Sequence, residues 1–104
     1  MAAYIVFLRE GPVHDPAEMQ VYLRKTTENP PDARLTALAV YGAQTPLEGA
    51  PPEGVVILQF ASAQDARDWY YGPEYQDRAP HRLAAADYRA VIVEGFDSAS
   101  LKLG

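Results

Sequence analysis

Two segments of this chain are apolar on both of their alternating faces, and no other feature constrains the fold as much. They are Ala3–Arg9, AYIVFLR, and Val55–Ala61, VVILQFA. A strand with apolar side chains on both faces must be covered on both faces. Each is followed by a helix signal. GPVHD breaks the first; Asp15 then suits a helix N-cap, Pro16 the first helical position, and Glu18 completes a capping box. Met19, Tyr22, Leu23 and Thr26 follow at helical spacing and predict one buried stripe. The helix stops where Asn29 meets two prolines. After the second segment, Ser62 and Asp65 form another capping box, and Ala63, Ala66, Trp69 and Tyr70 share a helix face.

The remaining elements complete a pattern. Leu35–Gly42, LTALAVYG, reads as a strand, and a Pro- and Gly-rich connection, AQTPLEGAPPEG, leads to the next. Gly72 is expected to end the second helix in a left-handed conformation, with Pro73 starting a further turn. Glu74–Ala79 can continue as helix until Pro80 kinks or restarts it. Arg89–Gly95, RAVIVEG, is a last strand. The order β-α-β-β-α-β is the ferredoxin-like arrangement of the α+β class, a four-stranded antiparallel sheet with its helices on one face. In it the first and third strands are central, and these are the two segments apolar on both faces. The helices cover one face. Nothing in the chain covers the other, and exposed apolar sheet is a liability. A second copy packed sheet to sheet is the simplest cover, so a homodimer is expected. One domain spans residues 1–96, and 97–104 is a tail that pairs at an edge or frays.

Composition removes several classes of function. Nine Lys and Arg stand against 14 Asp and Glu, a net charge of −5. Such a surface lacks the basic footprint of a nucleic-acid binder and is repelled by an anionic membrane. The absence of cysteine excludes disulfides, thiolate metal ligands and a cysteine nucleophile. With a short N-terminal apolar run and no basic leader, the expected location is cytoplasmic. There is no Gly-rich phosphate loop and no G-x-S-x-G motif. His14 and His81 lack zinc-ligand spacing, and neither lies in an apolar helical context that would suit haem. Neither a metal nor a cofactor is expected.

The stretch WYYGPEYQDRAPHR, Trp69 to Arg82, carries a more specific pattern. Trp69-Tyr70, Gly72-Pro73-Glu74-Tyr75-Gln76 and then Arg82 resemble the W-Y-x-S-P-E-Y helix signature, with a later arginine, of the family called domain of unknown function 1330. Tyr4, Asp15-Pro16, Leu47-Glu48-Gly49, Phe60-Ala61-Ser62 and Val93-Glu94-Gly95 agree with it in order. The resemblance implies a dimeric α/β-barrel, two ferredoxin-like subunits packed through their sheets. Neighbouring members of that superfamily include cofactor-free monooxygenases, small isomerases, haem-binding enzymes and ligand-sensing domains. Gly72 departs from the signature serine, Gln59 from a glutamate common in the third strand, and Tyr41-Gly42 from a glycine pair.

The candidate site residues follow. Trp69 and Tyr70 read first as core aromatics and second as walls of a pocket between helix and sheet. Tyr75 follows the Gly-Pro break, where a side chain can be re-aimed to orient a ligand. Arg82 lies seven positions on, about two helical turns, and both face one cleft if the helix survives Pro80. An arginine there could hold a carboxylate, or form an internal salt bridge to Glu94 or Glu48. Glu94 and His14 are candidates for moving a proton, beside the bland readings of strand end and exposed loop. Glu48 is a candidate ligand contact; Arg78 and His81 read as surface. The expected function is binding of a small anionic or aromatic organic molecule in a cleft between sheet and helices, with cofactor-free catalysis as its extension. The alternatives are a ligand-sensing domain without chemistry and a purely structural dimer.

Overall fold

The computed structural model describes residues 1–96. Strand β1 spans Ala3–Arg9, helix α1 Pro16–Glu28, β2 Leu35–Val40, β3 Gly54–Phe60, α2 Ala63–Tyr71, α3 Pro73–Ala85 and β4 Tyr88–Glu94. The strands form one sheet in the order β2-β3-β1-β4, and every neighbouring pair is antiparallel. This is the ferredoxin-like α+β arrangement, with the doubly apolar strands β1 and β3 at the centre. The 97–104 tail falls outside the described residues.

Local chemistry sets the element boundaries. The Asp15 carboxylate accepts from the Glu18 N–H at 3.2 Å, and the Ser62 hydroxyl oxygen accepts from the Asp65 N–H at 3.1 Å, so both N-caps form where the sequence places them. The α2–α3 junction differs from expectation. Gly72 sits at φ −70°, ψ 159°, an extended conformation open to any residue. What requires glycine there is space: a Cβ on Gly72 would come within 2.8 Å of the Asp68 carbonyl oxygen. Pro80 lies inside α3 without ending it, so one helix carries both Tyr75 and Arg82.

Alternation divides the sheet into two unlike faces. Ile5, Phe7, Leu58 and Phe60 point to the helices and are buried with Ala66, Trp69, Tyr75 and Ala79 in one core. On the other face, registers place Val6 opposite Val91 and Ile57, and Tyr4 opposite Val93 and Gln59. In the single chain this face is open, with Val91 59% and Val93 48% exposed. A bulge at Leu38 breaks the β2–β3 register between Ala37 and Ala39.

Helix α1 corrects the expected buried stripe, because none of its residues is fully buried. It packs chiefly against α3 rather than on the sheet. Lys25 Nζ donates to Asp77 Oδ2 at 2.9 Å, and Glu18 Oε2 lies 2.5 Å from His81 Nδ1, so His81 links the two helices instead of standing free at the surface. Of the expected stripe, Tyr22 packs against the edge of the core, and Tyr22, Leu23 and Thr26 border a space.

Gly72→Ala should destabilise the fold by about 1–3 kcal/mol, the usual cost of forcing a side chain into a filled site. Gly42→Ala, where no atom lies within 4 Å of the new Cβ, should leave the melting temperature nearly unchanged. Thermal unfolding of the two variants beside the wild type measures the contrast.

Candidate functional site

The space under α1 is a cleft of about 270 Å³. Its floor is the helix side of the sheet, with Phe7, Leu35, Val56 and Leu58. Tyr22, Leu23 and Thr26 of α1 form one wall; Trp69 and the α3 residues Tyr75, Arg78 and Arg82 form the other. The chain between α1 and β2, Asn29 to Asp32, rims it, and Tyr41 lies at the far end of β2. The cleft exists because α1 is held by α3 at a distance from the sheet, and the strands beneath it remain apolar.

Tyr75 is the centre of the inner wall. It is 1% exposed. Its ring centroid lies 4.3 Å from that of Trp69, 5.3 Å from Tyr70, 6.2 Å from Phe7 and 6.4 Å from Tyr22. Such aromatic pairs add about 0.5–1.5 kcal/mol each beyond area burial. Its hydroxyl accepts from Arg82 Nε at 3.0 Å and lies 3.2 Å from the Tyr22 hydroxyl. Burial, reinforced by Tyr22 and opposed by Arg82, raises the Tyr75 pKa well above the usual phenol range, so this hydroxyl keeps its proton.

Among the described residues, Arg82 is the one charged side chain in the buried set, at 2% exposure. Its guanidinium carbon sits 4.9 Å from the Phe7 ring centroid and 4.7 Å from that of Tyr88. Among the described residues it has no carboxylate partner, and its Nη1 has no hydrogen-bond partner. The internal salt bridge to Glu94 or Glu48 is therefore not formed. Burial works against the charge and Tyr75 supports it; the net direction is upward, and Arg82 is a cation at any working pH.

Arg78 is half-buried rather than solvated. It lies 4.9 Å over Tyr75 and 5.9 Å over Trp69, with its Nε unpaired among the described residues. At the end of β2, Tyr41 takes φ +51°, which is uncommon outside glycine. The turn lays its ring across Gly54, where a Cβ would come within 2.5 Å of it. Its hydroxyl meets that of Tyr88 at 2.5 Å, and Arg9 stacks 5.5 Å from its centroid. Burial, then the Tyr88 hydrogen bond, pushes the Tyr41 pKa up. Asp32 is engaged at the rim by Arg34 at 2.7 Å, and that bond holds its carboxyl down at about 2.

The sequence candidates thus divide. Trp69, Tyr75 and Arg82 come together on the cleft wall. Tyr70 stacks behind Tyr75 and Tyr71. His14, Glu48 and Glu94 are exposed and do not line the cleft, and Glu94 ends β4 at the sheet edge away from β2. Sequence reasoning missed Tyr22, Tyr41 and Arg78 as cleft residues. Tyr22 stood in a stripe that reads as core, and only the unusual backbone at Tyr41 distinguishes it.

A ferredoxin-like fold with a cleft between its helices and one half of its sheet defines the class. The chain belongs to the family described as domain of unknown function (DUF1330), whose model matches residues 2–96. Among curated proteins, none matches it. The fold is shared with a protein of unknown function, RPA0582, from Rhodopseudomonas palustris: TM-score 0.62, 15% identity, 92% of this chain and 83% of that one. It is shared with a dimeric ferredoxin-like protein of unknown function from Thermobifida fusca YX: TM-score 0.62, 16% identity, 89% and 90% covered. It is also similar to SnoaB from Streptomyces nogalater, a cofactor-independent oxygenase: TM-score 0.51, 14% identity, 96% and 97% covered. No helix among the described residues is long and apolar enough to cross a membrane.

Asp32 gives a pH signature. Its folded pKa, about 2, lies below the ordinary 3.8, so its contribution to stability is present above the ordinary value and lost as pH falls through the folded one. Asp32→Asn should melt below wild type near neutral pH, and the gap should close as pH falls through that window. Thermal melts across the acid range read it directly.

Proposed function

We propose that this protein binds a small organic molecule, anionic or aromatic, in the cleft between α1, α3 and the sheet. The observation that carries the reading is Arg82. A buried charge without a counter-ion is costly, and natural proteins pair or hydrogen-bond such groups. Here the cation lies behind a largely apolar cleft with its Nη1 unpaired among the described residues. An anion in the cleft would supply the missing charge, and the aromatic wall of Trp69 and Tyr75 suits a planar body. The volume, at the low end of ligand pockets, suits a molecule of one or two rings.

Binding without turnover is the reading the lining favours. Its carboxylates, Asp32 and Glu74, are at least partly exposed, and Asp32 is held by Arg34. The tyrosine at its centre holds its proton, so no buried base faces the cleft from the described residues. The oxygenase relative shares only the fold, and its reaction is not carried over.

Thermal shift and titration calorimetry with small carboxylates, phenols and quinones test the reading. A ligand at about a hundred times its dissociation constant stabilises by about 2.7 kcal/mol. Arg82→Met keeps an unbranched apolar stem about as long as the arginine's as far as Nε and removes the guanidinium. It should fold and lose roughly ten- to a hundredfold in affinity for anions, the scale of a charged hydrogen bond. Wild type that responds to none of these compounds overturns the reading.

The same proposal takes a second copy as the cover of the open sheet face. The Thermobifida relative is dimeric, and in this chain Val6, Ile57, Val91 and Val93 need such a cover. Sedimentation velocity should show twice the chain mass for wild type and the single-chain mass for Val6→Glu. A monomeric wild type at micromolar concentration would refute the second copy.

A further inference from the structure

The hydrogen bonds behind the cleft wall have a fixed direction. Arg82 Nε can only donate, and it donates to the Tyr75 hydroxyl oxygen. Tyr75 has one hydrogen of its own. Among the described residues its only other partner is the Tyr22 hydroxyl, 3.2 Å away. If Tyr22 donated to Tyr75, the Tyr75 hydrogen would be buried without an acceptor, at a cost of about 1–3 kcal/mol. Tyr75 therefore donates to Tyr22. The Tyr22 oxygen accepts, and its own hydrogen has no protein acceptor among the described residues.

Burial decides which member of this chain a ligand meets. Arg82 and Tyr75 are 2% and 1% exposed, so both border the cleft with almost no free surface of their own. Tyr22 is half-buried on α1 and lines the cleft from the opposite side. With so little free surface, the cation acts on the cleft mainly through two hydrogen bonds, and a hydrogen bond polarised from behind donates more strongly. The polar group this chain of bonds presents is a donor, backed by an uncompensated positive charge, and the half-buried Arg78 adds a second cation to the same wall.

We propose that the ligand is an organic acid on an apolar ring-sized body. Its carboxylate accepts a hydrogen bond from the Tyr22 hydroxyl, whose hydrogen Arg82 directs into the cleft through Tyr75. This rests on the binding reading above and narrows it. Tyr22 is the ligand contact; Tyr75 and Arg82 are positioning residues. A neutral amide of the same body keeps an acceptor but loses the charge. A cationic amine offers only donors to the Tyr22 donor, beside a buried cation, and the cleft's carboxylates are a poor substitute, Asp32 being held by Arg34 and Glu74 exposed.

The test is calorimetric titration of wild type, Tyr22→Phe, Tyr75→Phe and the double variant. The probes are benzoate, phenylacetate and 1-naphthoate, with 1-naphthamide and 1-naphthylmethylamine as controls; melts establish that each variant is folded. Wild type should prefer naphthoate to naphthamide and ignore the amine. Each single variant should weaken naphthoate binding roughly ten- to a hundredfold and shrink the acid-over-amide preference. Tyr75→Phe should add little in the Tyr22→Phe background, because both cut one path; a role in packing alone would give additive losses and an unchanged preference. Wild type that binds the acids, with Tyr22→Phe unaffected or the losses additive, overturns this inference and leaves the binding reading standing. Wild type that binds no acid overturns both.

Discussion

The docking of α3 on the sheet is the constraint on which the rest depends. It is made by two residues two turns apart, Tyr75 and Arg82, joined by a 3.0 Å hydrogen bond. Tyr75 supplies aromatic surface to Phe7, Trp69 and Tyr22; Arg82 spans Phe7 and Tyr88. The pairing needs an unbroken helix between them, and Pro80 lies in that interval. A proline inside a helix removes one backbone hydrogen bond and typically costs about 3 kcal/mol. The helix nevertheless runs through it, consistent with strong anchoring by the buried residues on either side: Tyr75 and Ala79 before, Arg82 and Ala85 after.

The position of α1 follows from α3. Its links are to α3: Lys25 to Asp77, Glu18 to His81, and the hydroxyls of Tyr22 and Tyr75. Exposed ion pairs contribute little to stability one at a time, typically 0–1 kcal/mol. Here their role is geometric, since they fix α1 beside α3 and keep it from closing onto β2 and β3. An amphipathic helix would otherwise bury its stripe. The cleft is thus a consequence of which helix α1 is attached to, and its apolar floor is the price of keeping it open.

Much of this was legible in the sequence. Two segments apolar on both faces fixed the central strands, and the caps at Asp15 and Ser62 fixed where the helices begin. The motif from Trp69 to Arg82 pointed to the family and to the residues that meet on the cleft wall. What failed to show has a common physical cause. A helical stripe such as Met19, Tyr22, Leu23 and Thr26 looks the same whether it packs on a core or borders a void, because hydrophobic spacing reports a face and not its partner. Cation–π contacts are equally invisible: Arg78 reads as surface charge until the rings of Tyr75 and Trp69 are in place. At Gly72 the sequence points to a left-handed helix end, whereas the backbone is extended and glycine is needed for space, because handedness is a local expectation and the Asp68 carbonyl is a neighbour only in the folded junction.

The acid–base candidates lie apart from the wall. His14, in the chain before α1, donates its backbone N–H to the Ala85 carbonyl at 2.9 Å, and its side chain is exposed. Glu94 ends an edge strand, and Glu48 lies in the exposed connection between β2 and β3. A proton-transfer group must come within hydrogen-bond reach of the atom it serves. Here Asp32, the partly buried carboxylate at the rim, belongs to an ion pair, while the buried polar groups of the wall are the Tyr75 phenol and the Arg82 guanidinium, both of which hold their protons at neutral pH. A site of that composition can recognise charge and shape. To abstract a proton it would need a base from its ligand, from solvent or from a second subunit.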